Sequence, residues 1–277
     1  MVDSSAAREL VRVGDLAGAL ARLQSDVRSH PQDGKLRVFL FQLLCVMGQW
    51  QRALSQLDVA SQLDVSTQIM MQTYREAIVC EALRAEVFAG NKVPLLFGEP
   101  EAWTAMLIEA LLRDGRGEHD AAAQLRTQAF DQAPAQPGRL DGEAFEWIAD
   151  ADMRLGPVLE AIVNGRYYWI PFSRLTRLDI EAPEDLRDLV WSPAHLMFEN
   201  GGESVALVPS RYSGSEASAD TLIAMSRKTE WEEVRPEFFV GRGQRLLTTP
   251  AGDKPLLDVR RIEWGEPTAD GSAATAS

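Results

Sequence analysis

Two cysteines and three histidines in 277 residues are too few for a disulfide framework or a zinc centre of ordinary ligand spacing. Cys45 and Cys80 sit inside apolar helical patterns, so they read as buried thiols in a reducing compartment. His30, His119 and His195 are scattered, none with a second ligand at metal spacing. Positive charge is also short: 28 Lys and Arg against 41 Asp and Glu leave a net charge of −13. Such a surface does not neutralise phosphates, which excludes nucleic acid and anionic membrane as expected partners. No run approaches the roughly 20 apolar residues that span a bilayer, so no membrane insertion is expected. Met1-Val2-Asp3-Ser4-Ser5 lacks the basic flank and apolar run of a secretory signal. These absences point to a cytoplasmic chain. The acidic excess is heavier after residue 138, which suits a basic or amphipathic protein partner.

What is present is an ordinary globular mix, 45% hydrophobic and 25% charged, long enough for two domains. The first half carries an internal repeat. Gly14-Asp15-Leu16-Ala17-Gly18-Ala19-Leu20 aligns with Gly48-Gln49-Trp50-Gln51-Arg52-Ala53-Leu54 at an offset of 34, the length of a tetratricopeptide unit. In that unit G-x-Φ-x-x-A-L marks the turn between two helices: Gly makes the turn, Leu16 or Trp50 packs back, and Ala19 or Ala53 lets the helices approach closely. Pro31 stands where the second helix stops, but the equivalent position 65 is Val. A third match, Gly117 to Ala123 with Ala129 and Pro134, lies 69 residues beyond Gly48. Residues 66–89 read as one long helix, Pro100 opens another through Trp103 and Leu111, and 91–99 is an irregular connection. The expectation is six or seven helices in stacked pairs, an α-α superhelix over residues 1–137.

Stacked pairs expose a concave face that takes a peptide or helix. The second unit's first helix is apolar nearly all round, from Val38-Phe39-Leu40-Phe41 to Met47, so it is either buried on two sides or presents its spare face to a partner, and the second is expected. Candidate contacts are Lys35, Arg37, Phe39, Gln42 and Trp50. Lys35 and Arg37 alone make a poor carboxylate clamp, and an amphipathic partner helix fits better.

From residue 138 to 264 the pattern changes to a mainly antiparallel α+β domain, with a small β-barrel as one possible form. Phe145 to Arg154 alternates like a half-buried strand, and Pro157 to Asn164 reads as a short helix ended by Gly165. Another brief helix begins at Pro183. Asn200-Gly201-Gly202 marks a hairpin, and Pro250-Ala251-Gly252-Asp253 a second between Leu246–Thr249 and Leu256–Ile262. The polar, small-residue tail 265–277 reads as disordered. On a strand, Glu146, Asp150 and Asp152 share one face with Arg154, and folding could bring Arg211 there. A carboxylate–arginine network is the favoured reading; a divalent-metal or acid/base site at Asp150 and Asp152, serving a hydrolase, competes with it. Gly241-Arg242-Gly243-Gln244-Arg245 has the flavour of a phosphate loop, but without a following Lys-Ser/Thr or helix it reads as a basic β-turn.

Several stretches in this order resemble one family. They are Gly98-Glu99-Pro100 with Trp103, and Phe145-x-Trp147-x-x-Asp150-x-Asp152-x-Arg154-x-Gly156-Pro157-x-x-Glu160. Gly165-x-Tyr167-x-Trp169-Ile170-Pro171-Phe172, Asp188-x-x-Trp191, Pro209-x-Arg211-Tyr212, Thr229-x-Trp231, Gly243-Gln244-Arg245 and Asp258-x-Arg260 follow. Together they resemble the ImpE family, also called TagJ or SciE-type, accessory proteins of bacterial type VI secretion. The resemblance implies a non-enzymatic cytoplasmic adaptor without cofactors. It also implies binding to the small contractile-sheath subunit through an amphipathic helix of that subunit, and a link to the ClpV-type disassembly ATPase. A tetratricopeptide scaffold for some other complex is the remaining alternative.

Overall fold

The structure is a computed structural model that describes residues 4–265; the tail expectation for 266–277 lies outside them. Seven helices fill the first half: α1 (Ser5–Arg12), α2 (Leu16–Ser29), α3 (Gly34–Val46), α4 (Trp50–Leu63), α5 (Gln68–Phe88), α6 (Ala102–Gly115) and α7 (His119–Gln132). α1 packs on α2, α3 on α4, and α6 on α7. The turn glycines Gly14, Gly48 and Gly117 all take positive φ, at 87°, 65° and 80°, which a side chain would strain. Five residues after each, Ala19, Ala53 and Ala122 are fully buried, as close helix approach requires. Nine residues after each, the order Leu23, Leu57, Arg126 shows where the third unit departs. Arg126 is buried and reaches Asp114 at 2.6 Å instead of filling an apolar core. Position 65 has no proline, yet α4 still stops at Leu63: Asp64 accepts the Ser66 N–H at 2.9 Å and starts a new turn.

Strand β1 (Leu95–Leu96) falls inside the segment expected to be irregular, and pairs in parallel with a strand of the second half. The rest are β2 (Gly138–Leu140), β3 (Glu143–Phe145), β4 (Ala149–Asp150), β5 (Val158–Val163), β6 (Arg166–Pro171), β7 (Leu175–Ile180), β8 (Trp191–Phe198), β9 (Glu203–Pro209), β10 (Thr229–Arg235), β11 (Phe238–Gly243), β12 (Leu246–Thr249), β13 (Gly252–Pro255) and β14 (Arg261–Trp264), with a one-turn α8 (Thr221–Ala224) before β10. Nine of them form one sheet in the order β1-β6-β5-β9-β8-β7-β14-β2-β3. Its end strands do not meet, so the described residues form no closed barrel. β10-β11 and β13-β12-β4 are small separate sheets.

Three local expectations are corrected. Phe145 to Arg154 is not one strand: Asp150 accepts the Asp152 N–H at 2.8 Å and Asp152 accepts the Arg154 N–H at 2.9 Å, turning the chain after β4. Glu146 consequently shares no face with the two aspartates. Pro157 to Asn164 is not a helix. Val158, Ile162 and Val163 favour extended backbone, and Asn164-Gly165 (φ 49° and 70°) closes a two-residue hairpin onto β6. The second hairpin pairs β12 with β13 rather than with Leu256–Ile262; β14 joins the large sheet between β7 and β2. The Asn200-Gly201-Gly202 hairpin does join β8 to β9, and the brief helix after Pro183 is a 3-10 turn at Leu186–Leu189.

One apolar core runs from the helices into the sheet. Phe39, Phe41, Leu44, Tyr74 and Val87 share it with Val158, Trp169, Trp191 and Leu207. α3 is therefore buried on both sides. Its spare face meets the Leu186–Leu189 turn and Trp191, with the rings of Trp191 and Tyr74 5.8 Å apart. The expectation that this face stands open to a partner is overturned: the chain fills it.

Candidate docking surface and the buried charge network beneath it

α5 is apolar where it meets the sheet, except at Glu81 and Arg84, three residues apart on one face. Both are buried. Arg84 Nε donates to Glu160 of β5 at 2.6 Å, and a terminal nitrogen reaches the other oxygen at 3.0 Å. The remaining terminal nitrogen donates to Glu81 at 3.4 Å. Tyr167 of β6 gives Glu160 a further donor at 2.5 Å and accepts from Trp169 Nε1 at 2.8 Å. Trp191 Nε1 donates to Glu81 at 2.8 Å. Arg245, fully buried, lies between Glu160 (3.4 Å) and Asp150 (Nε, 2.8 Å). Asp152 holds Arg154 through two bonds at 2.9 and 2.6 Å and accepts the Gly241 N–H at 2.9 Å.

Burial raises Asp150 to about 6, against the opposing pull of Arg245. Burial also pushes Glu81 up, Arg84 opposing. For Glu160 burial acts in the same direction, but Arg84 and Arg245 outweigh it and hold that carboxyl below its ordinary value. The two shifts have opposite consequences. Asp150, raised, binds its proton more tightly in the native state; its contribution is full below its ordinary range near 4 and is lost as pH rises through 6. Glu160, lowered, stabilises above its ordinary range and loses that contribution as pH falls. An Asp150→Asn variant is therefore expected to gain about 1 kcal/mol on the parent between pH 5 and pH 7 in urea unfolding. Parallel stability curves would show that Asp150 is not raised.

The expected network residues divide. Asp150, Asp152 and Arg154 are buried and mutually engaged, but Glu146 is exposed. Arg211 is buried and binds no carboxylate: it donates to the carbonyls of Val46 (2.8 Å), Cys45 (3.1 Å) and Ala224. The α3 carbonyls at the helix end have no intrahelical donor, and Arg211 supplies one from the other half. Each carboxylate oxygen of Asp150 and Asp152 already has an N–H or O–H donor, so the lone pairs a cation would use are taken.

Above Asp150 and Asp152 lies a cavity of about 300 Å³, lined by Phe130, Ala133 and Pro134 at the end of α7 and by Trp147, Met153 and Pro157. Trp147 is 40% exposed there, and its neighbour Glu146 faces solvent. A second cavity of about 270 Å³ gathers Lys35, Phe39 and Gln42 with Arg8, Glu184 and Asp185. Arg37 and Trp50 are not in its lining. Arg37 donates to the Pro31 carbonyl at 3.0 Å and to Gln56 at 3.1 Å, while the Trp50 ring rests 5.9 Å from that of Trp191.

The sequence model of the ImpE protein family matches residues 142–263. A curated relative from Pseudomonas aeruginosa, the type VI secretion system accessory component TagJ, is 53% identical over 262 residues, covering 95% of this chain and 92% of that protein. The chain belongs to the ImpE family. A crystal structure of a Vibrio parahaemolyticus protein superposes with a TM-score of 0.85 over 95% of this chain and 98% of that one. At 22% identity it shows the same fold.

The matched ImpE region holds Asp150, Asp152, Arg154, Glu160, Arg211 and Arg245, but Glu81 and Arg84 lie outside it. Sequence reading missed both as network members. The available signal was an i, i+3 charge pair among Ile78, Cys80 and Val87. Arg245 was missed because Gly241 to Arg245 read as a basic β-turn; the segment is the end of β11 running into a fully buried arginine. Among the described residues no helix is long and apolar enough to cross a membrane.

Proposed function

We propose that this ImpE-family chain is a non-enzymatic adaptor of type VI secretion that binds the small sheath subunit through an amphipathic helix and links it to the ClpV-type ATPase. The 53% identity to the TagJ accessory component over nearly the whole chain carries this reading. The donor-saturated state of Asp150 and Asp152 favours it over a metal-dependent hydrolase. We read the glycine-turned helix pairs of residues 1–137 as tetratricopeptide-like, followed by the sheet-rich domain of residues 138–264. Their inner face is filled, so the partner helix is assigned to the Trp147 cavity, where an apolar floor lies beside an exposed carboxylate. The cavity holding Lys35, Phe39 and Gln42 is left for the second partner.

Deleting the amphipathic helix of the small sheath subunit is expected to abolish co-purification; undiminished retention would end the adaptor reading. Trp147→Ala is expected to weaken that binding at least tenfold, a typical loss for a buried aromatic anchor, with unchanged unfolding midpoint. Lys35→Glu should leave helix binding intact. If the two variants exchange these outcomes, the partner helix belongs at the Lys35 cavity.

A further inference from the structure

β10 pairs on one side only, with β11, and among the described residues nothing covers its other edge. From Glu230 to Val234 every residue is exposed. An open row of backbone donors and acceptors is a template for another strand. The other open edges are shorter: β1 has two residues, β3 three and β13 four, against seven in β10.

This edge is held firmly in place. Phe238 lies between the guanidinium of Arg126 at 4.1 Å and that of Arg235 at 4.5 Å. Arg235 is tied to Asp114 of α6, and the Gly241 N–H is bound by Asp152. Trp231 packs on Tyr212 with ring centroids 5.7 Å apart, and the Tyr212 ring lies against Gly241, the residue opposite Trp231 in the register. Trp231, Val234 and Phe239 keep 37%, 42% and 40% of their surface exposed. A pre-formed edge spares an incoming strand part of its ordering cost.

Charge identifies the occupant. Glu230, Glu232 and Glu233 line the edge, and Glu237 follows at the hairpin turn. Lys228 pairs with Glu230 at 2.5 Å and Arg242 with Glu232 at 3.2 Å, which among the described residues leaves Glu233 and Glu237 without a cation, in a chain of net charge −13. A second copy would bring like edges together, placing carboxylates against carboxylates. We propose that the outer edge of β10 is a strand-addition site for an extended, lysine- or arginine-bearing segment of a partner protein. The bulge between Glu233 and Arg235 limits the pairing to the first five residues of the strand.

The test uses the full chain and four synthetic peptides: alternating Lys-Val, alternating Glu-Val, and two forms of the Lys-Val sequence N-methylated at every second amide, one on each edge. With the Lys-Val peptide, amide exchange within residues 229–233 is expected to slow at least tenfold and Trp231 fluorescence to change. The Glu-Val peptide should do neither. N-methylation on one of the two edges should weaken binding at least tenfold, since it removes the backbone donors and leaves the charge. Glu230→Lys/Glu232→Lys should weaken the Lys-Val peptide similarly without moving the unfolding midpoint. Equal binding by both N-methylated forms, protection at the Trp147 cavity instead of β10, or no binding would overturn the proposal.

Discussion

Replacing Arg84 by methionine is expected to cost about 3–5 kcal/mol of stability, the usual penalty for removing one partner of a buried ion pair. Glu160 is wholly buried, and without Arg84 it keeps only Tyr167 and the longer contact to Arg245 at 3.4 Å. Glu81 keeps Trp191 but loses its guanidinium. The lost interaction joins the helical half to the sheet, 76 residues away in sequence. Arg84 also donates to the Arg211 carbonyl at 2.8 Å, and Arg211 in turn serves the end of α3. The damage therefore reaches two separate helix contacts. The double variant Arg84→Met/Glu160→Gln removes the stranded charge and is expected to recover more than half of the loss. Urea unfolding of the two variants and of Glu160→Gln completes the cycle. A single-variant cost below about 1 kcal/mol would mean the ion pair does not hold the halves together.

How much of this could be read from the residues alone depends on range. The helical hairpins were legible because Gly14 and Gly48 repeat a local steric demand 34 residues apart, and local demands survive in any context. The β8–β9 hairpin was legible for the same reason, with Asn200-Gly201-Gly202 as its turn. β5 was misread because Val158 to Val163 is apolar apart from Glu160, and such a run has neither the period of a helix nor that of a strand. Its burial on both faces, under α5 and against the rest of the core, is a tertiary fact. The same limit explains the site. Asp150 and Asp152 were visible as a close acidic pair. The partner of Asp150, Arg245, lies 95 residues beyond it, and the β4–β12 pairing brings it there. The filled inner face of α3 is the plainest case: a helix apolar all round signals burial on two sides, but not whether the second side is the chain itself or a partner.

Gly243→Ala is expected to destabilise the chain by at least about 3 kcal/mol, the range of mutations that force backbone apart. This bears on the Gly-x-Gly stretch whose composition suggested a phosphate loop. Gly243 has φ of 90°, and a Cβ there would lie 1.9 Å from the Lys228 carbonyl oxygen. That oxygen is fixed, since it accepts the Gln244 N–H at 3.0 Å. Gly243 itself donates to Ser215 Oγ at 2.8 Å and accepts from the Tyr212 N–H at 2.9 Å. Room for a methyl group must come from moving β10 against β11 or from breaking these bonds, and either shift displaces Arg245 two residues on, whose guanidinium meets Asp150. Gly142 is the control. Its φ of 89° is nearly the same, but a Cβ meets nothing within 4 Å, so Gly142→Ala should cost only the left-handed penalty of about 1–2 kcal/mol. Comparing the two by urea unfolding separates backbone strain from close approach. Equal losses would show that conformation alone requires glycine at 243. A larger loss at 243 assigns that glycine to packing around the buried arginine, which leaves the stretch no need of a phosphate to explain its composition.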